Sequence, residues 1–222
     1  MKIVLVHGWG FDRHFWKKTA RILGSGVIVP DLGFFGPPDL TIPTGEPLTL
    51  VGHSLGLLRL LSMPDDLLPE GSLFLGINGF TRFARAPDFP SGIAPRVLDR
   101  MMAALQRDPD TAVRQFHASC GLTDPRPSTE EPELPTGTPV PERLRDGLMM
   151  LRNGDARLSR RRISAVLAGR DDPVVTPAMT EACFPRDLVC WSETGGHLLP
   201  LTHPDLCARF IRTVMEQHND AA

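Results

Sequence analysis

The sequence predicts an α/β protein in which a parallel sheet is covered by helices on both faces. Short apolar runs alternate with longer segments of helical character along most of the 222 residues, the pattern of repeated strand–helix units. Within each run the apolar residues are consecutive rather than alternating, as expected for strands buried between two layers of helices. The length suits one domain that buries most of its apolar surface.

The strands and the helices of this core can be placed from the same pattern. Strands are predicted at residues 2–6, 27–30, 48–51, 73–77, 164–168 and 188–191. Helices are predicted at 15–23, 54–61, 177–183 and 204–217. We therefore expect residues 1–77 and 163–222 to form the core.

The 85 residues from 78 to 162 contain no good strand. This interval is too long for a plain loop in a compact domain, and it contains plausible helices at 94–106, 110–119 and 142–151. A segment rich in Pro, Thr and Glu, 123–141, is interpreted as an irregular connection. We interpret residues 78–162 as a helical lid over the carboxyl edge of the sheet.

Composition excludes several classes of protein. The net charge of -2 gives no reason to expect a nucleic-acid partner. The four cysteines show no CxxC pair and no metal-ligand spacing with histidine, so we expect reduced thiols, no metal and no cofactor. The apolar run 3–6 is too short for a signal peptide, and no segment approaches the ~20 apolar residues that span a bilayer. These observations predict a soluble, cytoplasmic protein without a membrane partner.

The run Gly52-His53-Ser54-Leu55-Gly56 follows a predicted strand and precedes a predicted helix. G-x-S-x-G occurs by chance in unrelated chains, but here it has the strand–turn–helix context of a nucleophile elbow. Ser54 is the candidate nucleophile. The N–H of Leu55, at the helix N-terminus, would face an oxyanion formed by attack of Ser54 on a carbonyl.

A second glycine turn, His7-Gly8-Trp9-Gly10, directly follows the first predicted strand. It could supply the N–H of Trp9 as the other oxyanion donor. It could equally be a simple turn that ends the strand, and the residues alone leave both interpretations open.

The acid and the base are sought in the chain order Ser…Asp…His. Asp171 and Asp172 follow the fifth predicted strand, and His197 follows the sixth between Gly196 and Leu198. Serine is a weak nucleophile that needs a base within hydrogen-bond reach, oriented by a carboxylate. His197 is the candidate base, because His14, His53, His117, His203 and His218 have no strand-end context and His7 lies inside a turn. Either aspartate could orient it.

These segments together resemble the α/β-hydrolase superfamily over nearly the whole chain, and more narrowly the pimeloyl-[acyl-carrier-protein] methyl ester esterases of biotin synthesis. The resemblance rests on residues 5–10, 52–56, 144–157, 169–172, 196–197 and 203–204. It implies Asp172 as the acid, since that residue stands three positions after the glycine that ends the strand. It also implies Trp9 and Leu55 as oxyanion donors, Trp9 as a substrate contact, and Phe116 as a lid residue that shapes the acyl pocket.

The chain departs from the superfamily pattern in two places. It begins at the strand that carries the His-Gly turn, so we expect the two usual N-terminal strands to be absent and six parallel strands to remain. Position 57 is Leu where relatives often carry a further glycine, which suggests looser packing of the elbow helix against the sheet.

The charge of the predicted lid bears on a partner. Residues 82–162 contain 14 Arg and 11 acidic residues, a balance of +3, whereas the whole chain has -2. Acyl carrier proteins are acidic, and a basic lid would steer one to the pocket mouth. Arg114, on the same predicted helix as Phe116, and the pair Arg143 and Arg145 are the candidate contacts. Alternatively, the arginines are ordinary solvated residues of an Arg-rich chain.

The resulting hypothesis is a serine carboxylesterase that acts on a small or carrier-bound ester through an acyl-serine, with the methyl ester of pimeloyl-acyl-carrier-protein as its expected substrate. Other reactions of the same triad remain open: general ester hydrolysis, lactone or C–C hydrolysis, and acyl transfer. A hydrolase-fold binding protein without activity is a further alternative.

Overall fold

The computed structural model describes residues 1–122, 135 and 137–221. The predicted irregular connection 123–141 therefore lies largely outside the described residues. Six strands form one sheet in the order β2-β1-β3-β4-β5-β6, and every neighbouring pair is parallel. The strands are β1 (Lys2–Val6), β2 (Val27–Ile28), β3 (Leu48–His53), β4 (Leu73–Ile77), β5 (Ile163–Gly169) and β6 (Val189–Ser192). The prediction of a six-stranded parallel sheet is confirmed for the described part of the chain.

Eight α-helices occur among the described residues. They are α1 (Lys17–Leu23), α2 (Leu55–Leu61), α3 (Pro95–Arg107), α4 (Pro109–Ser119), α5 (Pro141–Asn153), α6 (Pro177–Cys183), α7 (Leu199–Thr202) and α8 (Pro204–Ala221). Several begin at a proline, whose missing N–H costs nothing in the first turn. Side chains cap two of them: Asp108 accepts from the N–H of Thr111 at α4, and Thr176 from that of Met179 at α6.

The two faces of the sheet are covered by different helices because successive side chains of a strand point to opposite faces. Val4 and Val6 of β1 pack in one buried cluster with residues of α2 and α6. Ile3 and Leu5 pack in a second cluster with residues of α8 and with the aromatic pair that precedes α1. The predicted arrangement, a sheet between two helical layers, is therefore present.

The bounds of some elements differ from the prediction for local reasons. The second strand, predicted at 27–30, ends at Ile28, and the chain then turns so that Asp31 and Asp39 form an isolated antiparallel bridge. The helix predicted at 15–23 is divided into a 3-10 turn, Arg13–Trp16, and α1. Asp12 caps the 3-10 turn by accepting from the N–H of His14, which sets its start two residues before the predicted helix.

Three helices, α3, α4 and α5, occupy the chain between β4 and β5. α3 packs against both α4 and α5, and an ion pair of 2.6 Å between Arg152 and Asp99 joins α5 to α3. The indole N–H of Trp9 donates to the carbonyl of Leu144 at 2.7 Å. This bond fixes α5 to the turn that follows β1 and therefore to the carboxyl edge of the sheet.

Candidate active site

Ser54 lies at the turn between β3 and α2 in a backbone conformation that few non-glycine residues adopt. Its φ is 52° and its ψ is -121°. Its N–H donates to the carbonyl of Ile77 at 3.3 Å, which holds the turn against the end of β4. Strained conformations of this kind concentrate at functional sites, where the surrounding structure maintains them.

The glycines on either side of Ser54 are required by close backbone contacts. A Cβ at position 52 would lie 2.3 Å from Cα of Leu57, and one at position 56 would lie 2.3 Å from the carbonyl oxygen of Val6. A Cβ at Gly8 would lie 3.1 Å from Cβ of Ser54. Gly52 thus lets β3 approach α2 closely, whereas Gly56 and Gly8 let β1 and its His-Gly turn approach the elbow.

Leu57 does not loosen the packing of α2, so that expectation is wrong. Its side chain is completely buried. A Cβ at Gly76 or Gly79 would lie 2.8 or 2.5 Å from its Cδ2 atom. Gly76 within β4 and Gly79 just beyond it therefore make the room that the larger side chain needs.

His197 and Asp172 form a buried hydrogen-bonded pair. Nδ1–H of His197 donates to Oδ2 of Asp172 at 2.8 Å, and neither side chain is more than marginally exposed. The other oxygen of Asp172, Oδ1, accepts from the N–H groups of Val174 and Val175 at 2.7 and 2.8 Å. Both carboxylate oxygens are occupied, so the ring is held in the tautomer that leaves Nε2 without a proton.

The remaining ring nitrogen of His197, Nε2, is buried and has no hydrogen-bond partner among the described residues. The structure therefore does not join it to Ser54 by a hydrogen bond. Hydrogen bonds between catalytic groups are often long or absent without substrate, and Nε2 stays available as a proton acceptor.

Asp171 has a different partner. Its Oδ1 accepts from the backbone N–H of Gly196 at 2.8 Å, so it braces the loop before His197 without reaching the imidazole. Of the two adjacent aspartates, only Asp172 contacts the ring.

His53 belongs to this site, which corrects the sequence interpretation that denied it a strand-end position. It is the last residue of β3 because pairing with β4 continues to His53 opposite Ile77. Its Nε2–H donates to the carbonyl of His197 at 2.8 Å, and the two rings lie 4.8 Å apart. Burial, and then the neighbouring His197, hold the pKa of His53 well below its ordinary value of 6.5. His53 is therefore a neutral donor that supports the backbone of His197.

The predicted oxyanion donors lie on two neighbouring turns. Among the described residues, the N–H groups of Trp9 and Leu55 donate to no backbone carbonyl outside their own helix or strand. Leu55 is the first residue of α2, where N–H groups lack an intrahelical acceptor. Both N–H groups are consequently available to an anionic oxygen.

A cavity of about 150 Å³ opens beside Ser54. It is bounded on the sheet side by Trp9 and on the helical side by residues of α3, α4 and α5. Its lining is almost entirely apolar: Trp9, Ser54, Phe83, Ile93, Val97, Leu98, Met101, Phe116, Ser119, Leu151, Pro173 and Val174. Phe116 packs edge-on against Trp9 with ring centroids 4.8 Å apart, so both aromatic residues predicted to contact substrate lie at this cavity.

His117 holds α4 in place and was missed by the sequence reasoning. Its Nε2–H donates to the carbonyl of Gly10 at 2.6 Å, and its ring stacks on Phe11 at 4.7 Å. Burial lowers the pKa of His117. The sequence feature that could have indicated this role is the position of His117 directly after Phe116. A helix that carries a pocket residue must be held in place, and a neighbouring polar side chain can provide the bond.

The three candidate arginines are exposed. Arg114 donates to the hydroxyl of Thr111 on its own helix at 2.6 Å, and Arg143 and Arg145 lie on α5. None of the three forms an ion pair with another described residue, whereas Arg82, Arg152 and Arg157 do. Their charge is therefore not neutralised within the part of the chain that the structure describes.

Within the described ranges, no group of three or more His, Cys, Asp or Glu side chains could hold a metal ion. None of the described helices combines the length and the apolar character of a membrane span.

The architecture and the turn at Ser54 define the class: this is the α/β-hydrolase fold. Comparison with solved structures gives the same fold. An esterase from Exiguobacterium antarcticum superposes with a TM-score of 0.71 at 17% identity, covering 99% of this chain and 92% of that one. A hydrolase from Oleispira antarctica gives a TM-score of 0.70 at 17% identity, covering 95% of this chain and 90% of that one.

The curated relatives that match the chain share one name. The chain is 28% identical over 226 residues to the pimeloyl-[acyl-carrier protein] methyl ester esterase of Legionella pneumophila (strain Corby), covering 93% of this chain and 91% of the relative. It is 27% identical over 245 residues to the enzyme of the same name from Neisseria meningitidis (strain H44/76), covering 97% and 93%. No protein-family model matches the chain.

Proposed function

We propose that this protein is a serine carboxylesterase that works through an acyl-serine intermediate on Ser54. The observation that carries the proposal is the buried His197–Asp172 pair, in which Nε2 of His197 has no partner among the described residues. The carbonyl of His197 is bonded to His53, the residue that directly precedes Ser54 in its strained elbow. The names of the relatives support the same activity. The reaction class is therefore carboxylic ester hydrolysis.

The residues divide the reaction into two proton-balanced steps. Nε2 of His197 takes the proton of Ser54 Oγ as Oγ attacks the ester carbonyl, and the N–H groups of Trp9 and Leu55 stabilise the oxyanion. His197 then gives that proton to the departing alkoxide, which leaves an acyl-serine. A water molecule attacks this ester with His197 again as base, and proton return to Ser54 releases the acid. Asp172 stabilises the imidazolium in both steps.

The substrate that we propose is the methyl ester of pimeloyl-acyl-carrier-protein, in biotin synthesis. Three observations support it. The curated relatives carry that name, the cavity beside Ser54 is apolar enough for an alkyl chain, and the interval 82–162 has an excess of positive charge. We propose that α3–α5 form a lid that takes part in docking the acidic carrier. An enzyme of this pathway would act in the cytoplasm.

A general small-ester carboxylesterase is the second candidate. The small volume of the cavity favours it, because a short ester fits in a small cavity. Such an ester could be bound without any contact with the protein surface. The two candidates differ in whether the exposed arginines contribute to substrate binding.

The test compares pimeloyl-acyl-carrier-protein methyl ester with p-nitrophenyl acetate and butyrate. For the proposed substrate, kcat/KM should be highest with the carrier-bound ester. Reversal of Arg114 or of the Arg143/Arg145 pair to Glu should raise KM for that ester and leave the free esters unchanged. Added salt should act like the reversals, because exposed charges are screened within ~8 Å at physiological ionic strength.

A matched control is Arg152→Glu, which changes the same charge on α5 but at an arginine already paired with Asp99. If neither added salt nor any of the reversals changes KM for the carrier ester, the arginines are ordinary surface residues. The general small-ester carboxylesterase is then the better proposal.

A further inference from the structure

Asn78 is a buried polar residue that directly follows β4 and touches both loops that carry the proposed acid and base. Its Oδ1 accepts from the N–H of Gly169, the last residue of β5, at 2.8 Å. Its Nδ2 donates to the carbonyls of Gly196 and His197 at 2.8 and 3.0 Å. One amide thus connects the end of β5 to the loop that follows β6, beyond the last pair of the two strands, Gly169 and Ser192.

The network determines the orientation of this amide. A backbone N–H needs an acceptor and two backbone carbonyls need donors, so only the oxygen can face Gly169 and only the nitrogen can face residues 196 and 197. The side chain satisfies three backbone groups at once. Removal of the amide would leave all three without these partners.

The backbone of Asn78 is also held in an uncommon conformation. Its φ is 46°, and apart from Ser54 it is the only non-glycine residue with positive φ among those described. Asparagine tolerates this region better than most residues. In this conformation the side chain faces the end of β5 and the loop after β6, whose backbone groups it bonds.

We infer that Asn78 is a positioning residue that sets His197 relative to Asp172, and this inference rests on the proposed function. Gly169 is fixed at its N–H by Asn78 and at its carbonyl by the N–H of Asp172, at 3.4 Å. The carbonyl of His197 is fixed by Asn78 from one side and by His53 from another. The same amide therefore holds the backbone at His197 and the backbone near Asp172, the two partners of the 2.8 Å Nδ1–Oδ2 bond.

The test measures kcat, KM and the rate of labelling by a fluorophosphonate probe in the full-length chain. Asn78→Gly keeps the positive φ and removes the amide. Asn78→Asp keeps the shape and the acceptor for Gly169, but it places a carboxylate against two carbonyl oxygens. We expect kcat and labelling to fall by about 10²-fold, as for a misplacement of reacting groups by ~1 Å. KM should change little, and Asn78→Asp should be the slower of the two.

Ser72→Ala is the matched control. Ser72 directly precedes β4, at the opposite end of the strand from Asn78. Its hydroxyl accepts from Leu48 and donates to Pro69, so the variant also loses hydrogen bonds from a side chain to the backbone. It should lower Tm while kcat and labelling stay native, which separates positioning from stability.

Native kcat and labelling in the folded Asn78 variants would overturn the inference, as would a proportional loss of activity and Tm in all three variants. If Asn78→Gly does not fold, the isosteric Asn78→Asp carries the test. If the probe does not label the native chain, the proposed function itself is contradicted. If it labels the native chain and the Asn78 variants at the same rate, only the inference about Asn78 is contradicted.

Discussion

At the scale of single residues, the site depends on two strained turns at neighbouring strand ends. Ser54 follows β3 and Asn78 follows β4, and both have positive φ. The strand ends of a parallel sheet meet at one edge, so the two turns lie side by side. At each position the strained backbone conformation costs energy, and contacts with distant parts of the chain maintain it.

The choice between adjacent aspartates gives a prediction at this scale. Asp172→Asn should lower kcat by about 10⁴-fold, because an amide at this position favours the wrong tautomer of His197. Asp171→Asn should have a much smaller effect, because among the described residues that side chain hydrogen-bonds to the N–H of Gly196 and not to the imidazole. Steady-state kinetics on one p-nitrophenyl ester would compare them. Equal losses, or a larger loss in Asp171→Asn, would contradict the assignment.

The residues that motifs identify are those whose neighbours in the sequence explain them. Ser54 and its two glycines, and His197 after a strand, could be proposed because short patterns carry their roles. His53, Asn78 and His117 could not, because their partners lie 144, 118 or 91, and 107 positions away. Their chemistry is ordinary until the fold brings those backbone groups together.

At the scale of elements, strands buried on both faces were predictable and their ends were not. β3 and β4 are buried along their whole length and β1 from its second residue onward, and most of their residues are apolar. The end of β3 depends on pairing with β4, and the end of β2 on the turn that brings Asp31 to Asp39. The end of a strand depends on contacts with other segments, so the hydrophobic pattern within the strand does not predict it.

The elbow glycines give a prediction at the element scale. Gly56→Ala would place a Cβ against the carbonyl oxygen of Val6, a backbone atom that cannot move without shifting β1. We expect a loss of about 1–3 kcal/mol in the free energy of unfolding, typical of overpacking, together with reduced ester hydrolysis. Thermal unfolding and the assay would measure both.

Gly36→Ala is the control for that variant, since a Cβ there meets no atom within 4 Å and its φ is not in the left-handed region. It should be nearly neutral. If Gly56→Ala were as stable and active as Gly36→Ala, α2 would not lie as close to β1 as described.

At the scale of the whole molecule, buried neutral histidines couple folding to pH. His53 has a folded-state pKa well below its ordinary value of 6.5, and burial also lowers the pKa of His117. Above the unfolded-state value both states are neutral and stability is complete. As pH falls through that value the unfolded chain takes up protons that the folded chain does not, so stability decreases.

The free energy of unfolding should accordingly decrease between pH 7 and pH 5. The slope has a limit of ~1.4 kcal/mol per pH unit for each such histidine. Urea unfolding at several pH values would measure it, and His53→Gln, which retains a side-chain donor, should reduce the slope. A free energy of unfolding that is constant over this range would show that these histidines are not buried in neutral form.

The central claim is that Ser54 is the nucleophile of an ester hydrolase, and Ser54→Ala tests it most directly. Hydrolysis of p-nitrophenyl butyrate should be measured for the native chain and the variant, both with native Tm. The loss should approach the ~10⁶-fold that follows removal of a triad nucleophile, and fluorophosphonate labelling should disappear. Undiminished hydrolysis by Ser54→Ala, with contaminating esterase excluded, would contradict the account.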